Sequence, residues 1–432
     1  MNTIRTYLFL FCLVFFVSAQ AEQYPGFRVN GRFLYDYCGE KVILRGVSNP
    51  NIWFEQDGKP RMAEIEKTGA NVVRIVWETR GKASMLDNAI SNCRAENMIP
   101  MVEVHDATGD INKVQACVDY WTREDVASVL IKHEAYLLLN IANEPGDGNV
   151  KGSKFRTVYE AAILQIRGAG IHVPLVIDGT DWGKNINILQ AEGPGLIEID
   201  PDHNLIFSVH MWWPKMYGFS EKSIVSELQQ SVDMELPLIV GEFSQMHGSC
   251  EESVITTNNS IAYKTIIAEC EKLQVGYIAW SWFGNCNSLW DMTKSGTFNT
   301  LYDWGLEVAV DNENSIKNTS VRPYFMKNGV CDEKSGIDDH GTLKMNGFSS
   351  PINFPNPVKT ETNINFSLSE AAMVKLTVSD PEGRIISTLI NQKRDKGECN
   401  VLFDASKLSN GLYFYTLTVN GVEVTQKMII MK

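Results

Sequence analysis

Two glutamates close two apolar runs in the same way. Leu137-Leu138-Leu139-Asn140-Ile141-Ala142-Asn143-Glu144-Pro145 is a row of strand formers that stops on an amide, a carboxylate and a proline. Leu236-Pro237-Leu238-Ile239-Val240-Gly241-Glu242-Phe243 repeats that shape later in the chain. An ionisable group placed where strand pairing stops stands at a cleft, whereas a merely solvated glutamate more often sits on a helix face. Two such carboxylates can divide the cleavage of a glycosidic bond between them, one delivering a proton to the leaving oxygen and the other attacking the anomeric carbon. On this reading Glu144 is the acid/base and Glu242 the nucleophile. Their carboxyl groups are then expected roughly 5 to 5.5 Å apart if configuration is retained.

Other strand ends are polar in a way that suits the same chemistry. Arg74 interrupts the apolar run Val72-Val73-Arg74-Ile75-Val76, where an unpaired guanidinium is costly, so it should hold a carboxylate such as Glu242. His105 and Asp106 end one run and His210 ends another, while Asn143 offers an amide to a sugar hydroxyl. Trp53, Trp182, Trp212, Trp213 and Trp282 fall just beyond strand ends, where indole faces can serve as sugar platforms; Trp282 is the expected platform at the mouth. No CxxC or Cys/His spacing suggests zinc, and no metal or cofactor is expected.

The elements that must position these residues follow a rhythm. Eight strand-like runs recur, at residues 42–47, 72–76, 99–105, 137–142, 173–177, 205–210, 236–240 and 275–282. Helical spacing fills 62–67, 85–97, 114–121, 155–167, 223–232 and 260–273 between them. Eight such units over about 290 residues predict an α/β chain folded as a (β/α)₈ barrel, whose active site collects at the C-terminal strand ends. A doubly wound sheet is the alternative, but no GxGxxG follows the first strand. Glu144 would end the fourth strand and Glu242 the seventh, across the mouth from each other. A hairpin with an Asn30-Gly31 turn precedes the barrel.

Residues 1–21 carry Arg5, an apolar core from Tyr7 to Val17 and Ala19-Gln20-Ala21, which together predict a signal peptide. The catalytic unit is then expected over 22–326 and a linker over 327–351. Short alternating runs predict an all-β sandwich over 352–432. No later run approaches about 20 apolar residues, so no integral membrane segment is expected. A net charge of -13 without Lys/Arg clusters argues against nucleic-acid partners. Eight cysteines remain after the signal, in keeping with export. Cys250 and Cys286, in successive strand-following loops, are a candidate staple at the cleft rim, with buried thiols the alternative for any of the eight.

The stretches Val102 to Gly109, Asn140 to Glu144, Ile206 to Met211, Val240 to Phe243 and Ala279 to Trp282 resemble, in order, the strand-end motifs of glycoside hydrolase family 5, within it the bacterial β-mannanase-like group. The resemblance spans about residues 25–310. It implies endo-acting, retaining hydrolysis of β-1,4-mannan, with Arg74, His105, Asn143, His210 and Trp282 lining the subsite at the cleavage point. Two positions depart from that group. Trp212 stands where a tyrosine usually contacts the nucleophile, and Pro145 replaces a tryptophan, as in cellulase-like relatives. β-1,4-Glucan is therefore the alternative substrate, and a glycan-binding protein on an inactive barrel a third reading. Phe354-Pro355-Asn356-Pro357, Val374 to Asp380, Gly383-Arg384, Gly411-Leu412-Tyr413 and Lys432 resemble the C-terminal sorting domain of the type IX secretion system. That implies the exporter as partner, and a secreted or surface-held product.

Overall fold

The computed structural model describes residues 26–331, 344–345, 348–349, 351–354, 358–368, 370–381, 383–420, 422–430 and 432. The expected signal peptide, most of the linker and Pro355-Asn356-Pro357 lie outside the described residues. The eight expected strands are all present: β1 Arg45–Asn49, β2 Val72–Trp77, β3 Ile99–Val104, β4 Leu138–Asn140, β5 Leu175–Asp178, β6 Leu205–His210, β7 Leu238–Glu242 and β8 Gly276–Ala279. Each pairs in parallel with its neighbours in chain order, and β8 returns to β1, closing the barrel. Continuous apolar runs form these strands because both faces are covered, one by the barrel interior and one by helices.

The interior is layered. Val72, Met101, Leu138, Val176, Ile206, Ile239 and Ile278 meet in an apolar floor, sealed from below by Phe27, Leu34 and Val42 of the N-terminal hairpin sheet. Arg28–Asn30 pairs with Phe33–Tyr35, and Gly31 takes the positive φ of +56° that the turn requires. Side chains on a strand return to the same face every second residue. Two residues beyond the floor, the same strands therefore present Arg74, Glu103, Asn140, Asp178 and Ser208, all buried. The barrel is thus apolar below and polar directly under its mouth.

Around it run α1 Arg61–Glu66, α2 Ala83–Ala95, α3 Val114–Trp121, α4 Glu124–Lys132, α5 Gly152–Gly168, α6 Ile186–Ile199, α7 Glu221–Asp233 and α8 Tyr263–Leu273. Of these, α4 and α6 carried no clear sequence pattern. Helix α6 contains Gly193-Pro194-Gly195, which reads as a break. The glycine instead allows close approach, since a Cβ on Gly193 would stand 2.9 Å from Leu236 and 3.1 Å from the Phe207 ring.

The barrel unit runs further than expected, because a helix spans Tyr324–Asn328 and Cys331 is disulfide-bonded to Cys38. The strands Lys344–Met345 and Phe348–Ser349 already pair into the second unit, so that unit begins before residue 352. It comprises a five-stranded and a four-stranded antiparallel sheet with their own apolar core, including Phe366, Val374, Leu376, Tyr415 and Leu417. Asp380 and Arg384 close a turn on Gly383, at φ +81°, and the Lys432 ammonium donates to the carbonyls of Ser406 and Leu408.

Candidate active site

Glu144 lies just past β4, and Glu242 is the last residue of β7. A carboxylate oxygen of each and a ring nitrogen of His210 all lie within 4.8 Å of one another. Such a trio matches the spacing of a metal site, but the Arg74 guanidinium already bound to Glu242 repels a second cation there.

Arg74 Nη1 donates to Glu242 Oε1 at 2.6 Å, and its Nη2 donates to Asn140 Oδ1 at 3.0 Å and Asn143 Oδ1 at 2.6 Å. Glu103 and Asp178 stand 3.6 Å away on either side. Burial opposes its charge, but these carboxylates prevail and hold the guanidinium above its ordinary value. The other oxygen of Glu242 accepts the Trp212 indole N–H at 3.1 Å. Both oxygens of Glu242, the expected nucleophile, therefore face donors, and the tryptophan at the tyrosine position keeps a hydrogen bond to that carboxylate.

Glu144 is 8% exposed, with a left-handed φ of +43°. A non-glycine residue held there costs of order 1–3 kcal/mol and persists only where its surroundings fix it. They do so from both sides: the Glu144 N–H donates to Asp178 Oδ2 at 3.2 Å, and Gly109 N–H donates to the Glu144 carbonyl at 2.9 Å. Burial and the nearby Glu242 charge raise the Glu144 carboxyl above its ordinary value, against the opposing pull of His210. A carboxyl whose proton affinity is raised, beside one gripped by a guanidinium and an indole N–H, suits the division of labour a glycosidase needs.

His210 Nδ1 lies 2.9 Å from Glu144 Oε1. Its ring is gripped on both sides: a Cβ on Gly183 would come within 2.5 Å of it, and one on Gly241 within 3.1 Å. His105 Nδ1 bonds Glu103 Oε1 at 2.9 Å, and its ring stacks on Trp280 at 5.6 Å. Burial disfavours its charge, yet Glu103 raises its proton affinity. Asn143 donates to Thr108 Oγ1 at 2.8 Å while accepting from Arg74. Asp106 accepts from the Thr79 N–H and hydroxyl, fixing the neighbouring loop.

Over this layer opens a cleft of about 910 Å³, lined by His105, Glu144, Trp212, Glu242 and Trp280 around the two carboxyl groups, and also by Asp181, Trp182, Lys184, Tyr217, Phe219, His247, Gly248 and Trp290. Trp182 is 45% exposed, its indole lying against Gly109. Trp53 stands beside the cleft, edge-on to His105 at 5.1 Å and bonded to Glu78.

Trp282 does not serve as the expected platform. It is fully buried, its N–H donating to the Gly296 carbonyl at 2.8 Å, and the indole that faces the cleft belongs to Trp280. Trp213 is likewise buried, stacked on Phe219. Sequence reasoning singled out neither Glu103, Asn140 nor Asp178. The available signal was a polar residue within or closing three of the apolar strands, two residues past the floor. The Cys250–Cys286 staple is present, tying the loops after β7 and β8, while Cys93, Cys117 and Cys270 are buried thiols.

Comparison with known proteins agrees with this geometry. Residues 35–285 match the cellulase model of glycosyl hydrolase family 5, and residues 353–431 match a secretion-system C-terminal sorting domain. A mannan endo-1,4-beta-mannosidase of Cellvibrio japonicus is 34% identical over 70% of this chain and 69% of its own length; one of Salipaludibacillus agaradhaerens is 30% identical over 68% and 94%. The β-mannanase of Thermomonospora fusca in complex with mannotriose superposes with a TM-score of 0.61 at 32% identity, over 69% of this chain and 98% of that one. The chain belongs to glycoside hydrolase family 5 and carries a secretion-system sorting domain behind its catalytic barrel.

Proposed function

We propose that the protein is an exported, endo-acting retaining hydrolase of β-1,4-mannan. The observation that carries this is the facing pair of Glu144, its carboxyl raised above the ordinary value, and Glu242, held by Arg74 and Trp212, beneath an aromatic cleft. Glu144 gives its proton to the glycosidic oxygen as Glu242 attacks the anomeric carbon, and the leaving chain departs. Glu144, now an anion, takes a proton from water that displaces Glu242, restoring both groups. Arg74, His105, Asn143, His210, Trp212, Trp280 and Trp182 surround the sugar in this reading, with Trp53 at its edge.

The similarity to mannan-hydrolysing relatives favours mannan. Pro145 does not weigh against it, because it is buried and bridged to Thr108 rather than facing the cleft. One relative, 29% identical, is named a beta-mannanase/endoglucanase A, which keeps glucan as the second substrate reading. Reducing-end release from mannan, glucomannan and carboxymethylcellulose, measured side by side, tests the choice. Mannan turnover far above carboxymethylcellulose is expected, and the reverse order overturns it.

The N-terminal signal and the sorting domain together support passage through the inner membrane and then through the type IX exporter. Among the described residues no helix is long and apolar enough to cross a membrane. Deleting residues 352–432 should leave the enzyme in the periplasm, and normal secretion of that truncation would refute the sorting role.

A further inference from the structure

Asp178 ends β5 fully buried, and neither half of the hydrolysis described above uses it. Four groups converge on its carboxylate. Oδ2 accepts the Glu144 N–H at 3.2 Å and Oδ1 accepts Asn140 Nδ2 at 3.0 Å. Oδ2 also lies 3.3 Å from His210 Nε2, an ionic contact rather than a well-directed hydrogen bond, and 3.6 Å from Arg74 Nη2. On the far side of the same imidazole, Nδ1 is 2.9 Å from Glu144 Oε1 and 3.4 Å from Glu242 Oε2.

A histidine ring with a carboxylate at each nitrogen satisfies both only when both nitrogens carry hydrogen. The charged groups that face this ring are Asp178 from β5, Glu144 beyond β4 and Glu242 from β7, with Arg74 of β2 behind them; Ser208, Gly183 and Gly241 supply no charge. Burial alone would strip the ring's proton, but Glu242, Asp178 and Glu144 outweigh it and push it up to about 10. His210 in turn draws Asp178 below the usual carboxylate value, against its own burial.

We propose that Asp178 is a positioning residue for the acid/base step, anchoring the left-handed backbone of Glu144 and, through the opposite ring nitrogen, keeping His210 a cation between the two catalytic carboxylates. Glu144 must be neutral before glycosidic cleavage and anionic after it. An imidazolium bonded to its Oε1 stabilises that anion from where it already lies, packed closely against Gly183 and Gly241. Without the Asp178 charge, the ring loses the partner at Nε2 and one of the three carboxylates that hold its second proton. The strained turn at Glu144 loses its N–H acceptor charge at the same time.

This inference rests on Glu144 being the acid/base, and its test separates the two claims. ¹⁵N-histidine NMR of the full chain, with His210 assigned by its loss in His210→Gln, should show the ring doubly protonated from about pH 5 to about pH 9. A neutral ring at about pH 7 overturns the proposal whatever Glu144 does. In Asp178→Asn the ring should lose its second proton at a lower pH than in the wild type, with Glu242 and Glu144 still opposing that loss. That variant should also lose roughly 100-fold in kcat/KM on mannohexaose, the scale of a misplaced general acid, but less than about threefold on an activated aryl β-mannobioside whose leaving group needs no proton. Equal losses on both substrates would make Asp178 merely structural and refute the proposal. Should Asp178→Asn fail to fold, the wild-type spectrum decides alone. A Glu144→Gln variant that cleaves mannohexaose as fast as wild type would sink the Glu144 assignment instead.

Discussion

At the scale of single residues, the site depends on charges that burial would otherwise forbid, and each can be probed separately. The Glu144 carboxyl binds its proton more tightly in the folded chain than in the unfolded one. Its contribution to stability is thus complete below the unfolded value and lost as pH rises through the folded value. Glu144→Gln, which never ionises, should therefore melt higher than wild type on the alkaline side, with the gap closing towards acid pH; equal melting temperatures throughout would contradict the raised value. Trp212→Phe removes one hydrogen bond to the Glu242 carboxyl group, the proposed nucleophile, worth about 1.5–3 kcal/mol, so kcat/KM should fall roughly ten- to hundredfold while the melting temperature holds. Trp282→Ala should act as a core cavity and cost about 3–5 kcal/mol in denaturant titrations. Trp280→Ala should register chiefly in KM, since its indole forms the cleft wall.

At the scale of elements, the cleft rim rests on the Cys250–Cys286 bridge, which spans 36 residues and joins the loops bearing His247 and Trp290. Cys286→Ser should lower stability by about 2–4 kcal/mol, readable as a fall in melting temperature that reductant, which also opens Cys38–Cys331, at least matches in the wild type. An unchanged melting temperature under reductant would show that the bridge constrains nothing. The eight strands were legible beforehand because burial on both faces makes each an unbroken apolar run, and their order placed Glu144 opposite Glu242. Helix α6 was not, because Gly193-Pro194-Gly195 has the composition of a turn, and the closeness of Leu236 and Phe207 explains the glycine. The exchange of Trp280 for Trp282 has a related cause. The two share the same parity, and the chain leaves β8 at Ala279, so strand alternation no longer says which indole turns outward. The loop residues Lys184, Tyr217 and His247 had no periodicity to reveal them. The polar layer did: Arg74 drew notice as a charge in an apolar strand, and the same rule applied to Glu103, Asn140 and Asp178 would have found them.

At the scale of the whole molecule, barrel and sandwich each have their own apolar core among the described residues. A chain ending at Cys331 should therefore keep the melting temperature and mannan turnover of the full catalytic unit; a marked drop in either would mean the sandwich supports the barrel. The bond between Cys38 and Cys331 gives that division a direction. It joins residues 293 apart and ties the end of the barrel unit to the hairpin sheet that seals the floor. Proteolytic trimming from the tail inward would thus meet a knot before it reached the barrel. The seam between passenger and address label can be cut without fraying the garment, and an extracellular medium, being oxidising, is where that knot stays tied.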